Sequence, residues 1–279
     1  MKILSGDGGG VFGFAMARIL DEADCSDKYD AFIGTSINAA VVAAHAVGRG
    51  GMVNQDFFDE WMPKIFHSPS FLRRVNPFMS KYPCVELVDA LQYVFGGLKL
   101  GDAKKPLFIT AANVSAKRLK IFSSLDDDDA NLPLWKVVRY ATAAETYFKP
   151  YNGYADGGPF VNNPSMAGVV AAIDNLGARP DEIEILSIGT GDGARGNGIP
   201  KTKIGWGLWM IGAMLDGASD AMNDRYVRAL AKGKFIKRYE RVQFAAELNW
   251  EMDSYVDMRA AEVAWDADIK RAIQLAKEF

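Results

Sequence analysis

Histidine and cysteine are nearly missing: 279 residues carry two of each. Cys25 and Cys84 have no metal-type spacing, and the expectation is two reduced thiols in a cytoplasmic protein. Long apolar runs are missing too. A membrane-spanning helix needs about 18 or more apolar residues, and the nearest stretch, "IGWGLWMIGAML" at 204–215, is too short. Met1 to Leu4 run directly into a polar glycine loop, so no h-region of a secretory signal is visible. An excess of positive charge is also absent. Lys and Arg number 32 against 35 Asp and Glu, a net −3, which removes the electrostatic case for a nucleic acid polymer as partner.

What is there is globular material, 49% hydrophobic, with enough apolar residues for one large core. Apolar strands are expected at 3–5, in "YDAFIG", "LFITAANV", "RLKIFSS", "EIEILSIGTG" and "FIKRYERVQF". Helices are expected at 14–21, in "SINAAVVAAHAVG" and "LWKVVRYATAA", after Asn163-Pro164, at 204–232 and at the end of the chain. Residues 52–105 are less regular but contain amphipathic pieces, "VNQDFFDEWMPKIF" and "CVELVDALQYVFGG". "DDDD" at 126–129 reads as a solvated loop. Alternating strands and helices, with several continuous apolar strands, indicate an α/β fold with a mainly parallel sheet. No repeat or linker interrupts the chain, so one domain over 1–279 is expected.

Two glycine-marked turns carry candidate chemistry. Gly8-Gly9-Gly10-Val11-Phe12-Gly13 fits G-x-G-x-x-G between a strand and a helix, the dinucleotide pattern. The acid that should follow the second strand to hold a ribose is missing, since that strand ends "FIGTS", and Asp7 places a carboxylate in the loop. Gly34-Thr35-Ser36-Ile37-Asn38 nearly fits G-x-S-x-G, in which a serine hydroxyl stands exposed at a helix N-terminus. The residues alone leave two readings of Ser36 open, a nucleophile or a helix cap.

A nucleophilic serine needs a base. His45 lies nine residues along the same helix, roughly 13 Å from Ser36 at 1.5 Å per residue. His67, in "IFHSPSF", has no turn to aim it. Asp156 in "YADGGPFVNNP" is the better candidate, with Gly157-Gly158 permitting a tight turn; an ordinary turn aspartate is the alternative.

Taken together, "DGGGVFG", "GTSIN", "LWKVVRYATAAETYFKP", "YADGGPFVNNP" and "LSIGTG" resemble the patatin-like phospholipases in order and spacing, over residues 2 to about 191. The resemblance implies a three-layer α/β/α fold with a mainly parallel central sheet. It implies a serine esterase, a lipid acyl hydrolase working by a Ser-Asp dyad without cofactor. By motif, Ser36 is then the nucleophile, Asp156 the base, and Gly8, Gly9 and Gly10 the backbone donors of the oxyanion hole. Such substrates, phospholipid or other glycerolipid acyl esters, are met at a membrane surface. Some bacterial members are switched on by cyclic nucleotides, so a small-nucleotide activator is a further expectation, though no nucleotide site is visible.

Three positions depart from the family pattern. Phe12 replaces a cation, implying a lost positive contact beside the loop. Gly6 replaces a branched residue, implying a more flexible loop. Asn38 replaces the last elbow glycine, implying crowding. They motivate a rival reading, a sensor or binding module of the same fold without turnover; an NAD(P)-binding oxidoreductase is the other rival. For contact with lipid, "KIGWGLWMIGAML" (Trp206, Trp209, Met210, Met214) and the stretch 59–78 with Arg73 and Arg74 are candidates. A buried helix face is the simpler expectation for the first.

Overall fold

A computed structural model describes residues 1–68, 79–192, 199–247 and 249–279. Among the described residues seven strands form one sheet: β1 Lys2–Gly6, β2 Ala31–Gly34, β3 Leu107–Asn113, β4 Arg118–Ser123, β5 Tyr154–Asp156, β6 Glu184–Ile188 and β7 Arg238–Val242. The order is β4-β3-β2-β1-β6-β7, with β5 paired to β3. The five strands β3, β2, β1, β6 and β7 are parallel, and β4 and β5 run antiparallel to β3.

Alternation along the strands supplies two cores. Leu4, Phe32, Ile109 and Leu186 face one side, with helices α1 Phe14–Ala23 and α2 Ile37–Ala46. Ile3, Ile33, Phe108 and Ile185 face the other, against the helices Ser165–Asp174 and Met222–Lys232. Neighbouring residues point to opposite faces, so a sheet covered on both sides must be apolar at nearly every position. This is the expected three-layer α/β/α arrangement.

β3 does the positioning. β4 occupies one edge of it from Phe108 to Asn113. The other edge is shared: β2 pairs along Leu107 to Ile109, and β5 takes over from Ala111 to Asn113. Gly34 at the end of β2 lies opposite Ile109, and Asp156 at the end of β5 lies opposite Ala111. Two residues along a strand are about 6.7 Å. A common strand thereby brings together chain ends far apart in sequence.

Several expectations need correction. "DDDD" is not a solvated loop. Asp126 caps a single helical turn, Asp127–Ala130, and Asp129 is buried against Lys120 Nζ at 2.7 Å. The two amphipathic pieces expected within 52–105 are not among these corrections: they form the helices Gln55–Ile65 and Val85–Phe95. The helix Lys203–Ala213 does not bury its aromatic face: Trp206 is 51% and Met210 54% exposed, with Trp209 and Met214 also exposed. Eight residues of π-helix, Met214–Ala221, join it to Met222–Lys232. Arg73 and Arg74 lie outside the described residues. No helix among the described residues is long and apolar enough to cross a membrane.

Candidate active site

The turn after β2 is strained. Ser36 has φ 54°, ψ −128°, a conformation costly for a residue with a Cβ and one that concentrates at functional sites. The turn is held by the Thr35 hydroxyl, 2.8 Å from both Thr110 Oγ1 and the Val161 carbonyl. Gly34 is required by proximity: a Cβ there would lie 2.7 Å from the Asn38 carbonyl oxygen. Ser36 occupies the position before α2, yet its side chain makes no capping bond. Instead Ser36 Oγ donates to Asp156 Oδ2 at 2.6 Å. That answers the capping alternative, because the hydroxyl is spent on a carboxylate 120 residues away.

Asp156 is buried, and its other oxygen accepts from the Gly158 amide at 2.8 Å. Desolvation pushes its pKa up to about 6, against the opposing hydrogen bonds from Ser36 and Gly158. The carboxylate is thus a stronger base than a free aspartate, yet ionised at neutral pH.

The two histidines are placed elsewhere. His45 Nδ1 lies 2.5 Å from Ser26 Oγ, and burial lowers its pKa to about 4. His67 Nδ1 meets the Lys64 carbonyl at 2.9 Å.

The glycine loop comes up beside Ser36. A Cβ on Gly8 would sit 3.1 Å from Ser36 Cβ. Gly10 has φ +59°, and a Cβ there would strike the Met252 carbonyl oxygen at 2.0 Å, so only glycine fits. The three amides differ. That of Gly8 donates to the Asn162 carbonyl at 3.2 Å, whereas among the described residues those of Gly9 and Gly10 donate to no protein acceptor. Thr190 Oγ1 holds the Gly8 carbonyl at 2.6 Å, and the Val11 amide reaches the Met252 carbonyl at 2.8 Å.

The unusual residues of the loop each have a partner or a space. Gly6 is no source of looseness: it is the last residue of β1, paired in register with Gly34 and Ile188. A Cβ on it would meet Asn38 Cβ at 2.8 Å, so its missing side chain makes the room that Asn38 fills. The expected crowding is relieved by this exchange of sizes. What it leaves is an Asn38 amide that is fully buried, with neither polar atom hydrogen-bonded among the described residues. Phe12 is buried, stacked on Trp250 at 5.9 Å and packed at a tilt against Trp265 at 5.6 Å, so an aromatic anchor stands where the family has a cation. Asp7 is buried against Arg241 at 2.6 Å, and Arg241 also meets Asp220 at 2.9 Å. Burial pushes the Asp7 carboxyl up while the guanidinium pulls it back.

Two recesses meet at Ser36. One is apolar and narrow, about 40 Å³, lined by Ile65, Phe66, Leu87 and Phe148 among others. The other is wider, about 200 Å³, and holds Asp156, Gly8, Gly9, Glu145, Ile211 and Leu215. No described residue lining either carries a positive charge.

A model of the patatin-like phospholipase family matches residues 4–183. The chain belongs to the patatin-like phospholipase family. Among its patatin-like relatives, Protein teg of Priestia megaterium is 27% identical, covering 74% of this chain and 68% of its own length. A cGAMP-activated phospholipase of Vibrio cholerae is 25% identical over 84% and 78%. A probable inactive patatin-like protein of Arabidopsis thaliana is 26% identical over 88% and 74%. Among solved structures, VipD from Legionella pneumophila aligns with a TM-score of 0.47 and 14% identity, over 99% of this chain and 66% of that one. Membership in this patatin-like family supports a lipid hydrolase and leaves no basis for the oxidoreductase reading.

The sequence passed over several residues of this patatin-like site. Arg241, Met252, Trp250 and Trp265 brace the glycine loop from the less diagnostic tail. Glu145 had a signal, an acidic residue inside the quoted "ATAAETYF", but nothing local to give it a role.

Proposed function

We propose that the protein is a lipid acyl hydrolase that cleaves fatty acyl esters of membrane glycerolipids through Ser36 and Asp156. The observation that carries this reading is the 2.6 Å bond from a backbone-strained Ser36 to a buried carboxylate. Ser36 Oγ attacks the ester carbonyl, and its proton passes to Asp156. Negative charge then develops on the carbonyl oxygen. The unoccupied Gly9 and Gly10 amides and the N-terminus of α2 are the groups suited to meet it, with Gly8 framing the loop. Loss of one such donor costs about 10²–10³ in rate in other hydrolases. Water then hydrolyses the acyl-serine.

The apolar lining of the recess beside Ser36 suits the first carbons of an acyl chain. The exposed face of Lys203–Ala213 suits a lipid surface: its tryptophans face outward while Ile211 of the same helix lines the wider recess. Peripheral action on membranes from the cytoplasm follows from this reading, and the single-domain organisation is part of it.

Lipid mass spectrometry on phospholipid vesicles tests the proposal. Wild-type protein releases free fatty acid; Ser36→Ala and Asp156→Asn do not. Equal release by either variant overturns the assignment. A second reading, a member without turnover, is favoured by the unsatisfied Asn38 and the probable inactive plant relative; no labelling of Ser36 by a fluorophosphonate would establish it. Activation by a small nucleotide is supported by the names of the cGAMP-activated relatives. Equal hydrolysis with and without cGAMP would remove it for that nucleotide.

A further inference from the structure

Ser219 is buried in the π-helix Met214–Ala221, and none of the chemistry above uses it. Its hydroxyl reaches the turn that follows Asp156, the four-residue helical segment Gly158–Val161. In an α-helix the Asn162 amide would donate to the Gly158 carbonyl, four residues back. Here the Ser219 hydroxyl stands between the two groups. It accepts from the Asn162 amide at 3.0 Å and donates to the Gly158 carbonyl at 2.8 Å. A side chain inserted into the helical ladder in this way opens it at that point. The serine is itself anchored: its hydroxyl lies 3.1 Å from the Leu215 carbonyl, and its own carbonyl accepts from Asn223 Nδ2 at 2.6 Å.

The opened turn carries a contact to each part of the site. At its start, the Gly158 amide donates to Asp156 Oδ1 at 2.8 Å. At its last residue, the Val161 carbonyl accepts from the Thr35 hydroxyl at 2.8 Å, one position before Ser36. Just beyond it, the Asn162 carbonyl accepts from the Gly8 amide at 3.2 Å. The spacing of base, elbow and glycine loop therefore depends on the length of one turn.

We propose that Ser219 is a positioning residue of the active site, a spacer whose hydroxyl holds the turn after Asp156 open and so fixes the Gly158 amide on the base. The inference rests on the Ser36–Asp156 reading and deepens it. Without the hydroxyl, the Asn162 amide can close directly onto the Gly158 carbonyl, which draws the ends of the turn together. The Gly158 amide then moves off Asp156 Oδ1, and the carboxylate loses one of the two hydrogen bonds that favour its charged form. Its other partner, Ser36, stands on the elbow, and the remaining ionisable groups of the recess, Glu145 and Tyr147, stand on a different segment. The spacer reaches the site from the helix Lys203–Ala213, which runs straight into the π-helix and carries the exposed tryptophans.

The experiment measures kcat/KM against pH for a soluble p-nitrophenyl ester, with wild type, Ser219→Ala, Ser219→Thr and Ser36→Ala. The acid limb of that profile reports the base of the free enzyme. In Ser219→Ala the limb should move up by about half a pH unit or more. The plateau should fall about tenfold, through kcat rather than KM, because the lost alignment matters in the transition state. Ser219→Thr keeps the hydroxyl, and its limb should stay with that of wild type. A plateau that falls with the limb in place marks a merely structural serine and overturns the proposal while leaving the dyad standing. An unchanged Ser219→Ala profile, or a Ser219→Thr limb displaced from wild type, does the same. If wild type and Ser36→Ala hydrolyse the ester equally, the dyad reading and this one fall together.

Discussion

Replacing Asp156 by asparagine should abolish activity and, at alkaline pH, stabilise the fold. The carboxylate is buried, and desolvation raises its pKa from 3.8 to about 6. The native state therefore holds this proton more tightly than the unfolded chain does. Between those two values the unfolded chain binds fewer protons, so wild-type stability falls as pH rises through the window and stays lowered above it. Integrating a shift of about two units gives a cost of about 3 kcal/mol at pH 8 and well under 1 kcal/mol at pH 4. Asparagine carries no charge to desolvate, and its amide oxygen can still accept from the Gly158 amide. Asp156→Asn should therefore melt on the order of 6–12 °C higher than wild type at pH 8, at roughly 2–4 °C per kcal/mol for a chain of this size. The advantage should shrink to about 1–2 °C at pH 4. Paired calorimetric scans at the two pH values decide it. An equal difference at both, or a less stable variant at pH 8, would refute the idea that the ionised base is held at a cost to the fold.

Three further perturbations address the surroundings of the dyad. Gly6→Ala should destabilise by about 1–3 kcal/mol in urea melts, because the new Cβ meets Asn38 Cβ and Met16 Sδ at 2.8 and 2.6 Å. In an Asn38→Gly background at least half of that cost should vanish, and strictly additive effects would dismiss the size exchange. Phe12→Arg restores the family's usual charge, but into a buried aromatic cluster, and should lower stability by about 3 kcal/mol or more; an unchanged urea midpoint would contradict the anchoring role. Trp206→Ser with Trp209→Ser should cut hydrolysis in vesicles by about tenfold while leaving a soluble ester unaffected, and equal effects on both substrates would argue against lipid contact.

The parts of the fold legible in the sequence are those in which one chemical pattern has one physical outcome. Continuous apolar runs such as "AFIG" have to lie between two helical layers. Glycines around Ser36 and Asp156 mark backbone turns that few other residues permit. Legibility stops where a contact depends on a distant partner. Asp129 looks solvated in "DDDD" because Lys120, the cation that allows its burial, stands in another strand. Residues 203–213 are apolar enough to suggest burial, but composition does not say whether anything covers them. Gly6 and Asn38 look like two separate defects, and only the close approach of β1 and α2 makes them one adjustment.

The shared edge of β3 also sets an order in time. As the chain is made, β1, β2 and the elbow carrying Ser36 are available long before β5, which brings Asp156 from 120 residues further on. Up to that point the serine has no base, and β3 has an open edge where the missing strand will dock. On the proposed reading, catalytic competence cannot precede the docking of β5. A chain that stops short of this three-residue strand then carries the serine without its base and cannot hydrolyse lipid.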